Sequence, residues 1–258
     1  MIRYFILKLN RTKVLFFTCL MIVLNLNGQE IIKIDETELQ IKYLKEGKNQ
    51  YLVYIEKPDK SIVDISIWER TIFFKKHNNE EVIIIEQHWK NQDTLRHRYI
   101  YSINKYKNFQ PIYQYSKNGR DVVEAFNFEQ DKIIAADSIA NNAKKDFYKV
   151  LIEPTLNWEL DLETFQLLPF EKGTNFKISF YHPGSKSEPK FYNYNVIGEE
   201  NLNYFDDGIV ECWLLKIVYS EGSNATYWIG KQDREVIKML EESNGVKRYK
   251  IKLNSNDN

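Results

Sequence analysis

Ile209-Val210-Glu211-Cys212-Trp213-Leu214-Leu215-Lys216-Ile217-Val218-Tyr219 is the stretch whose reading decides the fold. Successive side chains of a strand point to opposite faces, and here apolar residues occupy both parities, broken mainly by Glu211 and Lys216. Such a run predicts a central strand covered on both sides. Ile209, Trp213, Leu215, Ile217 and Tyr219 share one face, and Val210, Cys212, Leu214 and Val218 the other. One face is expected against the protein's own core, the other against a helix or a ligand. Cys212 reads as a small buried hydrophobe, since no His or Cys neighbours it in sequence to activate a thiolate.

Around this strand the period is two. Val63, Ile65 and Ile67 alternate with Asp64 and Ser66, and Leu95, His97, Tyr99 and Tyr101 with Arg96 and Arg98. Tyr249, Ile251 and Leu253 alternate with Arg248, Lys250 and Lys252, which predicts a last strand with one wet face, its charges guarding an exposed edge. Turn signals punctuate the runs at Lys57-Pro58-Asp59-Lys60, Asn78-Asn79, Asn118-Gly119, His182-Pro183-Gly184 and Asp206-Asp207-Gly208. Helix signals are sparse. Residues 137–148 read as a short amphipathic turn or two, and residues 155–167, between Pro154 and Pro169, as the longer helix, with Leu156, Leu160 and Leu167 on one stripe. The expected fold is mainly β: a single curved antiparallel sheet, half-barrel-like, with one or two short helices packed on it.

Composition agrees. Of 258 residues, 17 are Tyr, 15 Phe and 5 Trp, types that suit a pleated, half-buried surface. Lys plus Arg and Asp plus Glu both number 36, a balance that offers no long-range attraction to nucleic acid or anionic lipid. Arg3, Lys8, Arg11 and Lys13 precede the uncharged run 14–24, and Gly28 follows soon after. A basic segment, a short apolar core and a small residue form a secretory signal peptide. Eleven helical residues would rise only ~16 Å, too little for a ~30 Å hydrocarbon core. The domain layout expected is a signal peptide over residues 1–28 and one exported β-rich domain over residues 29–258, located in the periplasm or cell envelope, with no transmembrane helix after signal removal. An uncleaved anchor is the alternative. Cys19 lies within the apolar run, so the mature chain keeps Cys212 as a lone thiol and the fold stands without a disulfide.

The C-terminal part carries a recognisable succession. Leu167-Leu168-Pro169-Phe170 leads to Gly173 and the strand 176–181. Residues 191–196 are followed by Gly198-Glu199-Glu200 and the strand 210–218. Tyr227-Trp228-Ile229 then precedes Arg234-Glu235-Val236-Ile237-Lys238-Met239. This order resembles the exported domains of unknown function grouped as family 3108, over roughly the last 100 residues. Those domains are similar in turn to the curved half-barrels of periplasmic lipoprotein carriers. The resemblance implies a fold and a compartment, and by analogy a carrier-like role.

Of the possible sites the sharpest is a hairpin. With Lys90 to Asp93 as a four-residue turn, His88 pairs with Leu95 and Glu86 with His97, which sets Glu86, His88 and His97 on one face. Two imidazoles and a carboxylate can ligate zinc or iron, and a solvated polar face with a His–Glu pair is the plainer reading. His77 and His182 sit in turn-like surroundings. The acid pairs Glu80-Glu81, Glu199-Glu200 and Asp206-Asp207 read as solvated charge, because adjacent strand residues face opposite ways. No nucleophile elbow, phosphate cradle or dinucleotide fingerprint occurs, and no cofactor is expected. Asp93-Thr94-Leu95 and Asp137-Ser138-Ile139 resemble bacterial O-glycosylation sites, and Asn224-Ala225-Thr226 is a sequon in a eukaryotic context. Three functions compete. The first is an envelope module holding a lipid or other apolar ligand on its curved sheet, with Trp213, Leu214 and Trp228 as candidate lining residues. The second is an interaction module with a filled core that meets an envelope protein. The third is a metal-dependent enzyme using Glu86, His88 and His97.

Overall fold

The computed structural model describes residues 29–32, 39–204 and 208–254. The expected signal peptide with Cys19, and the acid pair Asp206-Asp207, lie outside the described residues.

Two antiparallel meanders share one sheet. The first comprises β2 (Gly47–Glu56), β3 (Ile62–His77), β4 (Glu80–Asn91), β5 (Arg98–Lys105), β6 (Pro111–Asn118), β7 (Val123–Phe128), β8 (Lys132–Ala135) and β9 (Tyr148–Val150). The second comprises β11 (Asn175–Tyr181), β12 (Lys190–Asn203), β13 (Ile209–Ser220), β14 (Ser223–Gly230), β15 (Val236–Ser243) and β16 (Val246–Leu253). They join where β16 pairs with β2, Leu253 opposite Gln50. β1 (Gln29–Ile32) and β10 (Leu156–Asn157) both pair with β11 in parallel. The strand order runs from β1 at one edge to β9 at the other, so the sheet is mainly antiparallel and does not close into a barrel.

The turn chemistry is local. Asn78 and Asn79 both take positive φ, 50° and 68°, between the paired residues His77 and Glu80, the left-handed conformation a two-residue hairpin needs. At the end of β6, Asn118 Oδ1 accepts from the backbone N–H of Arg120 and of Val122.

The hollow of the half-barrel is filled by the chain itself. The expected helix over residues 155–167 is shorter: β10 gives way to a 3-10 turn, Trp158–Leu160, and then to α1 (Asp161–Gln166). Asn157 Oδ1 caps the turn by accepting from Glu159 N at 3.0 Å, and the Thr164 hydroxyl donates to Leu160 O at 2.9 Å. Pro169 cannot continue the helix and bars helical geometry just before it. Leu160, Leu162, Phe165, Leu167 and Leu168 sit in the main core with Phe176, Ile178, Leu215, Ile217 and Tyr227. Residues 137–148, expected to turn once or twice as helix, form turns without one.

β13 is central, between β12 and β14, and its two faces are covered differently. Leu215 and Ile217 enter the main core, while Cys212, with Val210 and Leu214, joins a smaller outer cluster around Tyr204, Trp228 and Ile237. Cys212 is fully buried, which pushes its thiol up to about 12. Ile209 and Val218 are exposed, so cover stops short of both ends.

β16 overturns its expected reading. It lies between β15 and β2, not at an edge, and Lys250 and Lys252 are the buried residues. They face inward because acids from distant segments meet them: Asp161 for Lys250, at 3.2 Å, and Glu235 for Lys252. Tyr249 stacks on Tyr54 at 4.8 Å on the opposite face. In β3, Ile65 is exposed, because Asp64 adopts φ 55° beside a register shift that breaks the alternation.

Candidate functional site

Where the plug segment meets the sheet, the contacts are polar. Arg70 on β3 forks onto Glu163 of α1, Nε to Oε1 at 2.8 Å and Nη2 to Oε2 at 2.5 Å, and Nη2 also donates to Glu159 O at 2.9 Å. Both partners are buried, which gives this pair its leverage on stability. Gln87 Nε2 donates to the same Glu159 carbonyl at 2.8 Å, and Trp89 Nε1 donates to Gln87 Oε1 at 3.0 Å. Asn157 donates to Gln114 on β6.

Beside this seam a cleft of about 360 Å³ opens between the Trp158 turn and the inner face of β3, β15 and β16. One wall is a column of alternating cations and rings. Trp68 and Trp89 are stacked at 3.8 Å and 3°, Arg98 caps the Trp89 face at 4.9 Å, and Arg248 and Lys250 lie over Trp68 at 5.2 and 5.1 Å. The other wall is Trp158, stacked on His182 at 5.1 Å, with Tyr219 and Tyr227 beyond it. Asp161 and Lys250 form the floor, while Tyr219 and Arg248 stand partly exposed at the mouth.

The electrostatics follow from burial. Burial pushes the Glu159 carboxyl up, yet His182 and the Arg98 guanidinium more than offset that and hold it at about 2. Arg98 Nη2 bonds Oε1 at 2.9 Å, whereas His182 Nδ1 is 3.9 Å from the same oxygen, beyond bonding distance. Lys250 is shifted down, by burial first and by the Arg248 and Arg70 cations, against the pull of Asp161.

The expected metal face does not assemble. Glu86 and His88 do share the outer face of β4, but they pair with Tyr101 and Tyr99. The loop is longer than four residues, because Asp93 caps a 3-10 turn over Thr94–Arg96 that carries His97 away from Glu86. His97 Nε2 instead meets Asn91 O at 2.8 Å. Among the described residues, no three His, Cys, Asp or Glu side chains are grouped to hold a metal ion. Of the expected ligand-lining residues, Trp213 packs against the main core beneath Lys231, at 4.7 Å. Leu214 and Trp228 lie in the outer cluster, Trp228 donating to Glu200 at 3.0 Å. None of the three borders the cleft.

The residues that do border it were within reach of one signal. An Arg or Lys at the period-two position that also holds Trp68 or Ile72 is a charge on a core face, and such a charge needs a partner. Arg70, with Trp68 and Ile72 on either side, fits that description.

These features define an open, mainly antiparallel half-barrel plugged by its own segment, with an aromatic cleft beside the plug. The chain belongs to the family described as protein of unknown function (DUF3108), whose profile matches residues 50–252, well beyond the C-terminal third that carried the resemblance. No curated protein matches the sequence. Similar solved structures include the following two. A β-barrel-like protein of domain of unknown function DUF1849 from Brucella abortus shares 7% identity at a TM-score of 0.44, over 81% of this chain and 97% of its own. A DUF1329 family protein from Desulfovibrio piger shares 10% identity at a TM-score of 0.32, over 86% of this chain and 87% of its own.

Proposed function

We propose that the protein is a non-enzymatic binding protein of the bacterial cell envelope, exported by its N-terminal segment, that holds a small ligand in the Trp158 cleft. The cleft itself carries this reading: about 360 Å³, within the range of small-molecule sites, walled by aromatic rings with charged groups set among them. The volume suits a short apolar group rather than a long acyl chain, because the plug occupies the rest of the hollow. A binding role fits better than catalysis because the buried carboxylates are committed to ion pairs: Glu159 with Arg98, Asp161 with Lys250, and Glu163 with Arg70. A carboxylate held that way is a poor proton acceptor at neutral pH.

The test has two parts. Protein purified from its own envelope and examined by native mass spectrometry is expected to carry a co-purifying small molecule. The neutral fluorophore N-phenyl-1-naphthylamine is expected to bind, and Tyr219→Ala, at the mouth, to weaken it several-fold. Absence of probe binding together with unliganded native protein would overturn the reading. A second reading, a module that meets a protein partner along a sheet edge, draws on Tyr148, Val150 and Ile152, an exposed apolar row on and just past the edge strand β9.

A further inference from the structure

We infer that the ligand of this cleft is a small amphiphile whose polar end is an oxyanion, a carboxylate, sulfonate or phosphate, received by Arg248 and Lys250; the inference rests on the cleft being the binding site. It comes from the hydrogen-bonding capacity each side chain has left. Two of the cleft's acids are each tied to a cation: Asp161 accepts from Leu162 N at 2.8 Å and from Lys250 at 3.2 Å, and Glu159 accepts from Arg98 at 2.9 Å. Two cations keep donors to spare. Lys250 has three donors and one carboxylate in contact. Arg248 has five, and Glu241, across the strand pair, stays 3.9 Å away, close enough to balance charge but too far to bond. Arg248 therefore brings unbonded donors to the cleft beside the Lys250 ammonium, and such donors take an acceptor-rich, negatively charged group.

Position supports the same choice. Arg248 and Lys250 are two apart on β16, so both project to one face, and both lie against Trp68, which fixes their direction. Burial is the first cause of the downward shift of Lys250, and the Arg248 and Arg70 cations add to it against the pull of Asp161, so an entering anion meets more than one cation there. The apolar remainder of the ligand then faces Trp158 and Tyr219.

Two fluorophores separate this claim from the reading beneath it. N-phenyl-1-naphthylamine and 8-anilino-1-naphthalenesulfonate share one ring skeleton, and only the second carries an anion. The native protein is expected to bind the sulfonate about tenfold more tightly, as one charge-assisted hydrogen bond allows, with the advantage shrinking as salt is raised. Arg248→Met, which keeps the stem packed over Trp68, is expected to abolish that advantage and leave the neutral probe within about twofold, while Arg248→Lys restores most of it. Octanoate should displace the sulfonate and inorganic phosphate at equal concentration should not. Equal affinity for the two probes in the native protein overturns the inference and leaves the cleft reading standing, as does an Arg248→Met variant that loses both in proportion. Displacement by phosphate alone overturns the amphiphile. Failure of both probes to bind overturns the cleft reading as well.

Discussion

Arg70 shows how much one side chain settles. Its guanidinium crosses from the sheet to α1, and with both partners buried neither can turn to water when the other is removed. Arg70→Met is expected to cost about 3–5 kcal/mol, because it strands the Glu163 carboxylate in the core. The double variant Arg70→Met with Glu163→Leu should recover most of that loss. Urea denaturation of the single and double variants measures both, and a single variant within 1 kcal/mol of the parent, in the sense of that same estimate, would show the pair to be far better hydrated than its burial implies. The residue scale is also where the sequence spoke least clearly. Lys250 and Lys252 alternate with apolar residues as a solvent face would, and their inward direction is set by Asp161 and Glu235, which no local pattern can connect to them. His97 failed for a related reason: one cap, from Asp93 to Leu95 N at 3.0 Å, lengthens the loop and shifts the pairing.

Among elements, α1 and the turn before it matter most. All six residues of α1 are buried although three of them are Asp161, Glu163 and Gln166, so the sheet receives this helix through polar contacts on one side and apolar ones on the other. Phe165 is the apolar anchor, with ring centroids 4.7 Å from Tyr227 and 5.0 Å from Tyr194. Phe165→Ala is expected to lower stability by about 3–5 kcal/mol, the range for emptying an aromatic site in a core. Thermal or urea unfolding gives the number, and a loss under 1 kcal/mol would mean that the plug collapses freely into the gap. Sequence reading found this element's place, between Pro154 and Pro169, and overestimated its length, because Leu156 and Asn157 pair with the sheet and Trp158–Leu160 form a 3-10 turn before the helix begins. β13 was legible for the opposite reason. Its two-sided apolar pattern depends on no partner's charge, and both faces are covered, the second by Tyr204, Trp228 and Ile237 rather than by the helix or ligand expected there.

At the scale of the whole molecule, acid is the informative stress. The Glu159 and Glu69 carboxyls are both held near about 2, against a usual 4.5. For Glu69, burial raises the carboxyl, and hydrogen bonds from Lys48, Lys90 and Gln50 outweigh it. Groups depressed in the folded state bind protons more readily once unfolded. Their stabilisation is therefore complete above the usual carboxyl range and is lost as pH falls from about 4.5 towards 2. Glu159, whose side chain is 10% exposed, is expected to supply roughly 2–3 kcal/mol of that loss. Unfolding free energy measured at steps between pH 6 and 2.5 should drop through this window, with a smaller drop in Glu159→Gln; a flat profile would contradict the pairing described for both acids.

The seam between β16 and β2 has a consequence for how the chain is made. A ribosome releases β16 long after β2, so one long flank of β2 stays without its neighbour while all the strands between are made. Unpaired backbone of that kind recruits other strands, and pairing of such high sequence separation is slow to form. Leu253 and Gln50 lie opposite one another, close enough for a short hairpin to tie β16 to β2 once the segment before β2 is released. A circular permutant joined there and opened between β9 and β10 would present the two meanders as one continuous ribbon, and it should refold faster than the natural order.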